Sequence, residues 1–247
     1  MSDFAGKRVI VTAGAAGIGL AIATAFHAAG ARVALCDVDD GKLAEAPRAL
    51  PGVHAARCDV SDPDQAARFV ADAVAALGGL DFLVNNAGIA GPAAPLEDIS
   101  TEDWRRTFAV NVDGQFFIAR AAIPHLKQNG GGAIVCMASV AGKYAFPLRS
   151  PYAASKAAVI SLMRALSVEL GAHAIRVNAI APGVIDTPMT EATRSDPKRL
   201  QGFLARIPAG RLGEAREIAG PAVFLASDLA SYVTGTLLPV DGGLQAS

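Results

Sequence analysis

Tyr152 and Lys156 stand four residues apart in a run, Tyr152 to Gly171, whose Ala, Val, Leu and Met content suits a helix. On a helix that spacing puts a phenol and an ammonium on one face. A phenol titrates near 10, so making it a base near neutrality means lowering its pKa by about 3 units, or about 4 kcal/mol. One cation about 4 Å away, at an effective dielectric of about 20, supplies about 4 kcal/mol, so Lys156 suffices. Ser139 ends the apolar run Ala133 to Ala138, which reads as a buried parallel strand. Its hydroxyl then falls at the strand's carboxyl end, where open α/β sheets place their ligands. Taken alone, the Tyr152/Lys156 spacing reads more readily as a surface aromatic above a solvated lysine, and the rest of the chain has to decide.

Stepping outward from these residues, strands and helices alternate. Lys7 to Thr12 reads as a strand, and the tight loop Gly14-Ala-Ala-Gly17-Ile18-Gly19 opens a helix running to about Ala29. Strand, glycine loop and helix N-terminus make an anion site that suits a pyrophosphate. Arg32 to Cys36 is a second strand, closed by Asp37, 18 positions after Gly19 and near the interval at which a carboxylate meets an adenosine ribose. Ala15, Ala16 and Val38 offer no cation for a 2′-phosphate, and Asp37 would repel one, which favours NAD over NADP. The alternative for Asp37 is a helix cap or turn acid. Val53 to Cys58 and Leu80 to Asn85 read as strands around a helix, Asp62 to Leu77, and repeated βαβ units force a parallel sheet. Asp59-Val60 and Asn85-Asn86-Ala87-Gly88 follow the third and fourth strands, where a cofactor lies, although Asp59 equally suits a helix cap and the asparagines a turn.

Thr101 to Asn129 holds one long helix or two abutting ones, with Asn111 at an unfavourable mid-helix position. Trp104, Phe108, Phe116 and Phe117 are spaced for packing in the core. Ile175 to Ala181 is a sixth strand, leading into Pro182-Gly183-Val184-Ile185-Asp186-Thr187-Pro188. Residues 188–211 are polar, interrupt the α/β rhythm and form a candidate substrate lid. Glu214 to Ala226 reads as a helix and Gly235 to Val240 as a last strand. The expected architecture is one α/β domain over residues 1–247, a Rossmann-type doubly wound parallel sheet of about seven strands with that small helical insertion.

Composition fits this picture: 247 residues, 52% hydrophobic and 18% charged, can fill one large core. A net charge of −1 with scattered Lys and Arg leaves no footprint for nucleic acid or a membrane surface. No apolar run approaches the roughly 20 residues of a spanning helix, and Met1 to Lys7 leads into a strand without a signal segment, so a cytoplasmic location is expected. Cys36, Cys58 and Cys136 read as reduced thiols in buried strands, and His27, His54, His125 and His173 form no metal-binding spacing; no metal is expected.

Thr12 with the glycine loop, Asp59, Asn85 to Gly88, Asn111, Ser139, Tyr152/Lys156 and Pro182-Gly183 together resemble the short-chain dehydrogenase/reductase family over essentially the whole chain. That resemblance implies that Tyr152 is the general base in oxidation and the acid in reduction, and that Ser139 hydrogen-bonds the substrate oxygen. It implies that Lys156 lowers the phenol's pKa and binds the nicotinamide ribose, and that Asn111 holds a water linking Lys156 to solvent. Gly14, Gly17, Ile18, Gly19, Asp37, Asp59, Val60, Asn86, Ala87, Gly88, Pro182, Gly183, Ile185 and Thr187 would contact NAD. A homotetramer built on the helices near 101–129 and 152–171 is also implied. One departure stands out: the family's usual loop has glycine directly after the threonine, whereas this chain has Ala13 there, so the turn is expected to shift or to flex at Gly14.

The expected substrate is a small polar or anionic alcohol, sugar or hydroxy acid. Arg149, three residues before Tyr152, and Arg194 in the lid are candidates for gripping an anionic tail. The stretches Ala145 to Tyr152 and Met189 to Pro208 loosely resemble a branch of the family that oxidises a sulfonate-bearing hydroxyalkyl thioether. Reduction of a 3-oxoacyl thioester is the rival activity, and a catalytically dead nucleotide-binding protein a third reading.

Overall fold

Strands buried on both faces need apolar side chains on both, and Val9, Ile10 and Val11, all without solvent exposure, meet that need in β1 (Arg8–Thr12). The computed structural model describes residues 4–246, so the signal-segment reading of Met1 to Asp3 lies outside the described residues. From β1 the chain runs through α1 (Gly17–Ala28), β2 (Arg32–Asp37), α2 (Asp40–Ala49), β3 (His54–Arg57), α3 (Pro63–Leu77), β4 (Phe82–Asn85), α4 (Thr101–Phe108) and α5 (Gly114–Gln128). It continues through β5 (Gly132–Met137), α6 (Ser150–Leu170), β6 (Ile175–Pro182), β7 (Ile185–Asp186), α7 (Glu191–Arg194), α8 (Pro197–Leu204), β8 (Gly213–Glu214), α9 (Ala215–Ala226) and β9 (Leu237–Val240).

The main sheet is parallel, seven-stranded and ordered β3-β2-β1-β4-β5-β6-β9. Strand order reverses between β1 and β4, and the carboxyl ends of those two strands open the crevice in which such sheets bind ligands. Pleating divides the core into two layers. Ile10 joins Phe69, Ile118 and Met163 of α3, α5 and α6 on one face, while Val9 and Val11 join Ile22, Phe26 and Leu225 of α1 and α9 on the other. The result is the single doubly wound α/β unit expected from the sequence.

Several local features differ from expectation. Helix α2, with Gly41 and Pro47 inside it, carries too little apolar periodicity to be read from the sequence; it is opened by Asp39, whose carboxylate accepts the Lys42 N–H at 3.1 Å. The expected long helix is α4 and α5 joined by a π turn, Ala109–Asp113, so both alternatives describe part of it. Trp104 and Phe116 are not core residues: they are 37% and 43% exposed, Thr107 taking the buried face of α4 and Ile118, Ala119, Ala122 and Leu126 that of α5. Cys136 is within a strand as expected, whereas Cys58 lies one residue beyond β3; all three thiols are free and buried. The two-residue pair β7–β8 forms a second small sheet that sequence periodicity cannot register.

At the amino end of the sheet Asp81 is gripped by Arg8, which donates through its backbone N–H at 2.8 Å and Nε at 2.7 Å, and by Asn129 Nδ2 at 2.9 Å. Burial raises the Asp81 pKa, but the Arg8 and Asn129 donors outweigh it and hold the carboxyl below its ordinary value. A depressed folded-state pKa stabilises the fold above the unfolded value near 3.9 and is lost as pH falls through the folded value. Asp81→Asn is expected to cost about 2 kcal/mol at pH 7, measured by urea unfolding, with the gap to the wild type closing below about pH 4.

Candidate active site

The crevice at the β1/β4 switch is assembled by side-chain to backbone bonds. The Thr12 hydroxyl, fully buried, accepts the N–H groups of Asn86 at 2.9 Å and Ala87 at 3.0 Å, and Asn86 Nδ2 donates back to the Thr12 carbonyl at 2.9 Å. The loop after β4 is thereby bolted to the loop after β1. Within the latter, Gly19 can carry no side chain, since a Cβ there would stand 2.0 Å from the Ala13 carbonyl oxygen. Helix α1 begins after Ala16 with no side-chain cap and no acid in its first turn, which leaves its first N–H groups to an anion. Asp37, half-buried at the end of β2, accepts from Ala15 N at 3.3 Å and Val38 N at 2.8 Å and so sits across this loop.

The departure at Ala13 is resolved by strain at the alanine itself. Ala13 takes φ +48°, in the left-handed region, while Gly14 keeps a negative φ and donates to the Cys36 carbonyl at 2.9 Å. The turn neither shifts to Gly14 nor uses its freedom.

Ser139, Tyr152 and Lys156 converge from β5 and α6. Ser139, 6% exposed, follows the end of β5; its hydroxyl accepts from Ala141 N at 3.1 Å and acts to lower the pKa of the Tyr152 phenol. Helix α6 opens on Ser150-Pro151, where the missing proline N–H costs nothing, and delivers Tyr152 and Lys156 one turn apart. Lys156 Nζ is 5.8 Å from the Tyr152 ring centroid and donates to the Met137 carbonyl at 2.9 Å. Gly88 leaves room for it: a Cβ there would lie 3.1 Å from Nζ and 3.2 Å from Asn111 Oδ1.

Asn111 is fully buried in the π turn, a frequent device for presenting functional groups inside a helix. Its amide oxygen accepts Ile89 N at 2.7 Å, and its Nδ2 donates to Ile89 O at 3.0 Å and Ser155 Oγ at 2.9 Å. Ser155 in turn donates to the Tyr152 carbonyl at 2.8 Å. The Asn111 side chain therefore ties the β4 loop to α6.

Burial raises the Tyr152 pKa above its ordinary value, against the pull of the Ser139 hydrogen bond and the Arg149 charge. Burial also pushes the Lys156 ammonium down to about 8. The Lys156 ammonium is directed at Met137 O, and the Arg149 charge acts to lower the phenol's pKa.

The remaining sequence candidates flank this centre. Asp59 accepts from Ser61 N and Oγ at 3.0 and 2.6 Å and pairs with Arg106 at 3.6 Å, and Val60 packs under Gly114. Pro182 closes β6, Gly183 abuts Asp241, Ile185 is buried in β7, and Thr187 stands beside Gly17 of the glycine loop. Arg149 is half-buried and points toward the Ala90 carbonyl at 3.5 Å. Arg194 is instead engaged within its own segment, with Asp186 at 3.0 Å and with Glu191. Residues 188–211 fold as short helices that dock through Phe203 and Ile207 near Phe146, with the Phe146 and Phe203 rings 6.3 Å apart. Sequence reading gave no role to Gln115 or Ser155, whose partners Met137 and Asn111 are distant in the chain, and took in Phe146 and Phe203 only within the two stretches compared with the sulfonate-oxidising branch.

Among protein families, the model described as enoyl-(acyl carrier protein) reductase matches residues 13–245. The chain is 41% identical, over 100% of both chains, to 2,5-dichloro-2,5-cyclohexadiene-1,4-diol dehydrogenase of Sphingobium indicum. It is also 41% identical to 2-(R)-hydroxypropyl-CoM dehydrogenase of Xanthobacter autotrophicus, over 97% of this chain and 99% of that one. A solved structure of 7α-hydroxysteroid dehydrogenase complexed with NADH and 7-oxo glycochenodeoxycholic acid superposes with a TM-score of 0.93 at 36% identity, covering 98% of this chain and 95% of that one.

An alanine in the left-handed region costs about 1–2 kcal/mol, and glycine's extra chain entropy about 0.5–1 kcal/mol. Ala13→Gly is therefore expected to raise unfolding stability by about 0.5–1 kcal/mol, read from the urea midpoint.

Proposed function

The chain belongs to the short-chain dehydrogenase/reductase family, and from that premise we propose that it is an NAD-dependent dehydrogenase interconverting a secondary alcohol and a ketone. The observation that carries this is the convergence of buried Ser139 and Lys156 with the Tyr152 phenol beside the β1/β4 crevice, Tyr152 and Lys156 standing one helical turn apart on α6. The crevice fits a dinucleotide. Gly14, Gly17, Ile18 and Gly19 with the uncapped α1 would hold its pyrophosphate, Asp37 its adenosine ribose, and Asp59 and Val60 its adenine. Asn86, Ala87, Gly88, Tyr152, Lys156, Pro182, Gly183, Ile185 and Thr187 would hold the nicotinamide half. When bound, the cofactor supplies the hydride acceptor for oxidation. The half-buried Asp37 carboxylate, with no cation beside it in Ala15, Ala16 or Val38, supports NAD over NADP.

In this reading Tyr152 removes the alcohol proton, Ser139 donates to the substrate oxygen as charge develops, and Lys156 turns from Met137 O to bind the ribose and lower the phenol's pKa. The Asn111 side chain is occupied by Ile89 and Ser155. A proton-carrying water would therefore be held by the backbone of its π turn. Residues 188–211 act as the lid, with Arg194 latching it to Asp186, and Arg149 meets an anionic substrate group. The substrate is a small polar or anionic alcohol. Assembly into a homotetramer through the helices near 101–129 and 152–171 is part of this reading, and the exposed side chains of Trp104, Phe116 and Val168 lie on those helices. No helix among the described residues is long and apolar enough to cross a membrane, and three free thiols suit a reducing cytoplasm.

A panel of polar secondary alcohols assayed with NAD and NADP, following absorbance of the reduced cofactor, tests this reading. Turnover is expected with NAD, and Tyr152→Phe is expected to lower kcat by about 10²–10⁴. Faster NADPH-dependent reduction of a 3-oxoacyl thioester would favour the rival activity instead. On an anionic substrate from that panel, Arg149→Ala is expected to raise KM about tenfold or more and to move the acid limb of the oxidation profile to higher pH, since a cation that lowers the phenol's pKa is gone. An unchanged KM removes Arg149 from substrate recognition.

A further inference from the structure

Met137 lies one residue past the last β4–β5 pair, Asn85 with Cys136, and its carbonyl receives two side-chain donors. One is Lys156 Nζ at 2.9 Å and the other is Gln115 Nε2 at 3.2 Å. Gln115 is 1% exposed, in the first turn of α5 directly after the π turn that holds Asn111. Its backbone carbonyl accepts Asn85 Nδ2 at 2.7 Å, so its side chain springs from a fixed base. Its Oε1 is buried and has no hydrogen-bond partner among the described residues. A buried glutamine satisfied only through its donor is costly compared with an apolar side chain of the same size. Its donation to Met137 O is therefore the interaction that explains its presence.

That carbonyl has a particular problem. If Lys156 is to bind a ribose, its ammonium leaves or shares Met137 O, and an acceptor buried at the end of β5 is orphaned unless a second donor stays behind. We propose that Gln115 is a positioning residue: it keeps the Met137 carbonyl satisfied so that Lys156 can turn between that carbonyl and the cofactor. This rests on the reading of Lys156 as the cofactor-binding lysine. Gln115 is uncharged and acts on the lysine only through the oxygen they share.

NADH binding, followed by fluorescence titration, separates the possibilities in the full-length wild type, Gln115→Leu, Lys156→Met and the double variant. Gln115→Met serves as a second, flexible substitution, and thermal midpoints identify any variant that has lost its fold. Gln115→Leu and Gln115→Met are expected to weaken NADH binding about tenfold, equivalent to about 1.4 kcal/mol, and to add no further loss once Lys156 is methionine. A folded Gln115 variant that binds NADH like the wild type overturns the proposal, as does a loss that persists undiminished beside Lys156→Met. If Lys156→Met alone leaves NADH affinity unchanged, the parent reading fails and the proposal falls with it.

Discussion

An ammonium held out of water at the carboxyl edge of a parallel sheet is the constraint on which the rest of this site depends. Lys156 is 3% exposed, and burial pushes its pKa down to about 8. A cation in that position must have an acceptor, and it has the Met137 carbonyl at 2.9 Å. It must also have space, and Gly88 at the end of the β4 loop helps to leave it, since a Cβ there would lie 3.1 Å from Nζ. The parts that supply acceptor and space are fixed in turn: the β4 loop by the Thr12 hydroxyl and by Asn111, and the start of α6 by Ser155. Sheet order, glycine placement and the π turn thus serve one placement of charge.

The same desolvation acts on the phenol in the opposite sense. Burial favours neutral tyrosine and neutral lysine alike, so in the protein alone the pair is not poised for proton abstraction. Ser139 and Arg149 pull the phenol partway back. In this account, completing the task requires charge that arrives with the cofactor and a lysine freed from Met137. In the proposed function, catalytic competence is therefore coupled to occupancy of the crevice.

Most of the framework was legible in the sequence because its signals are local. Apolar runs such as Ala133 to Ala138 mark strands buried on both faces, and the spacing of Tyr152 and Lys156 survives into α6 unchanged. Other features depend on partners remote in the chain. Asn111 was visible as an oddity in mid-helix, but its anchoring to Ile89 and Ser155 needed the fold. Gln115 gave no signal, since a glutamine after glycine in a helix is ordinary until its neighbour proves to be the carbonyl that holds the lysine. Trp104 and Phe116 read as core from their spacing, but spacing does not fix which helix face is buried, and theirs looks outward. Arg149 and Arg194 looked alike in sequence; the structure engages Arg194 with Asp186 and Glu191 and leaves Arg149 near the phenol. Electrostatics was the least legible layer, because desolvation is a property of the packed site and of no residue type.

The central claim is that bound cofactor reverses the effect of burial on one phenol. Only three tyrosines are present, Tyr144, Tyr152 and Tyr232, so phenolate absorbance can be followed residue by residue with single Tyr→Phe variants. Titrated without cofactor, Tyr152 is predicted to ionise above its ordinary value; with saturating NAD it is predicted to ionise at clearly lower pH, because a positive charge nearby favours the phenolate. A Tyr152 titration that is the same with and without NAD would contradict the account.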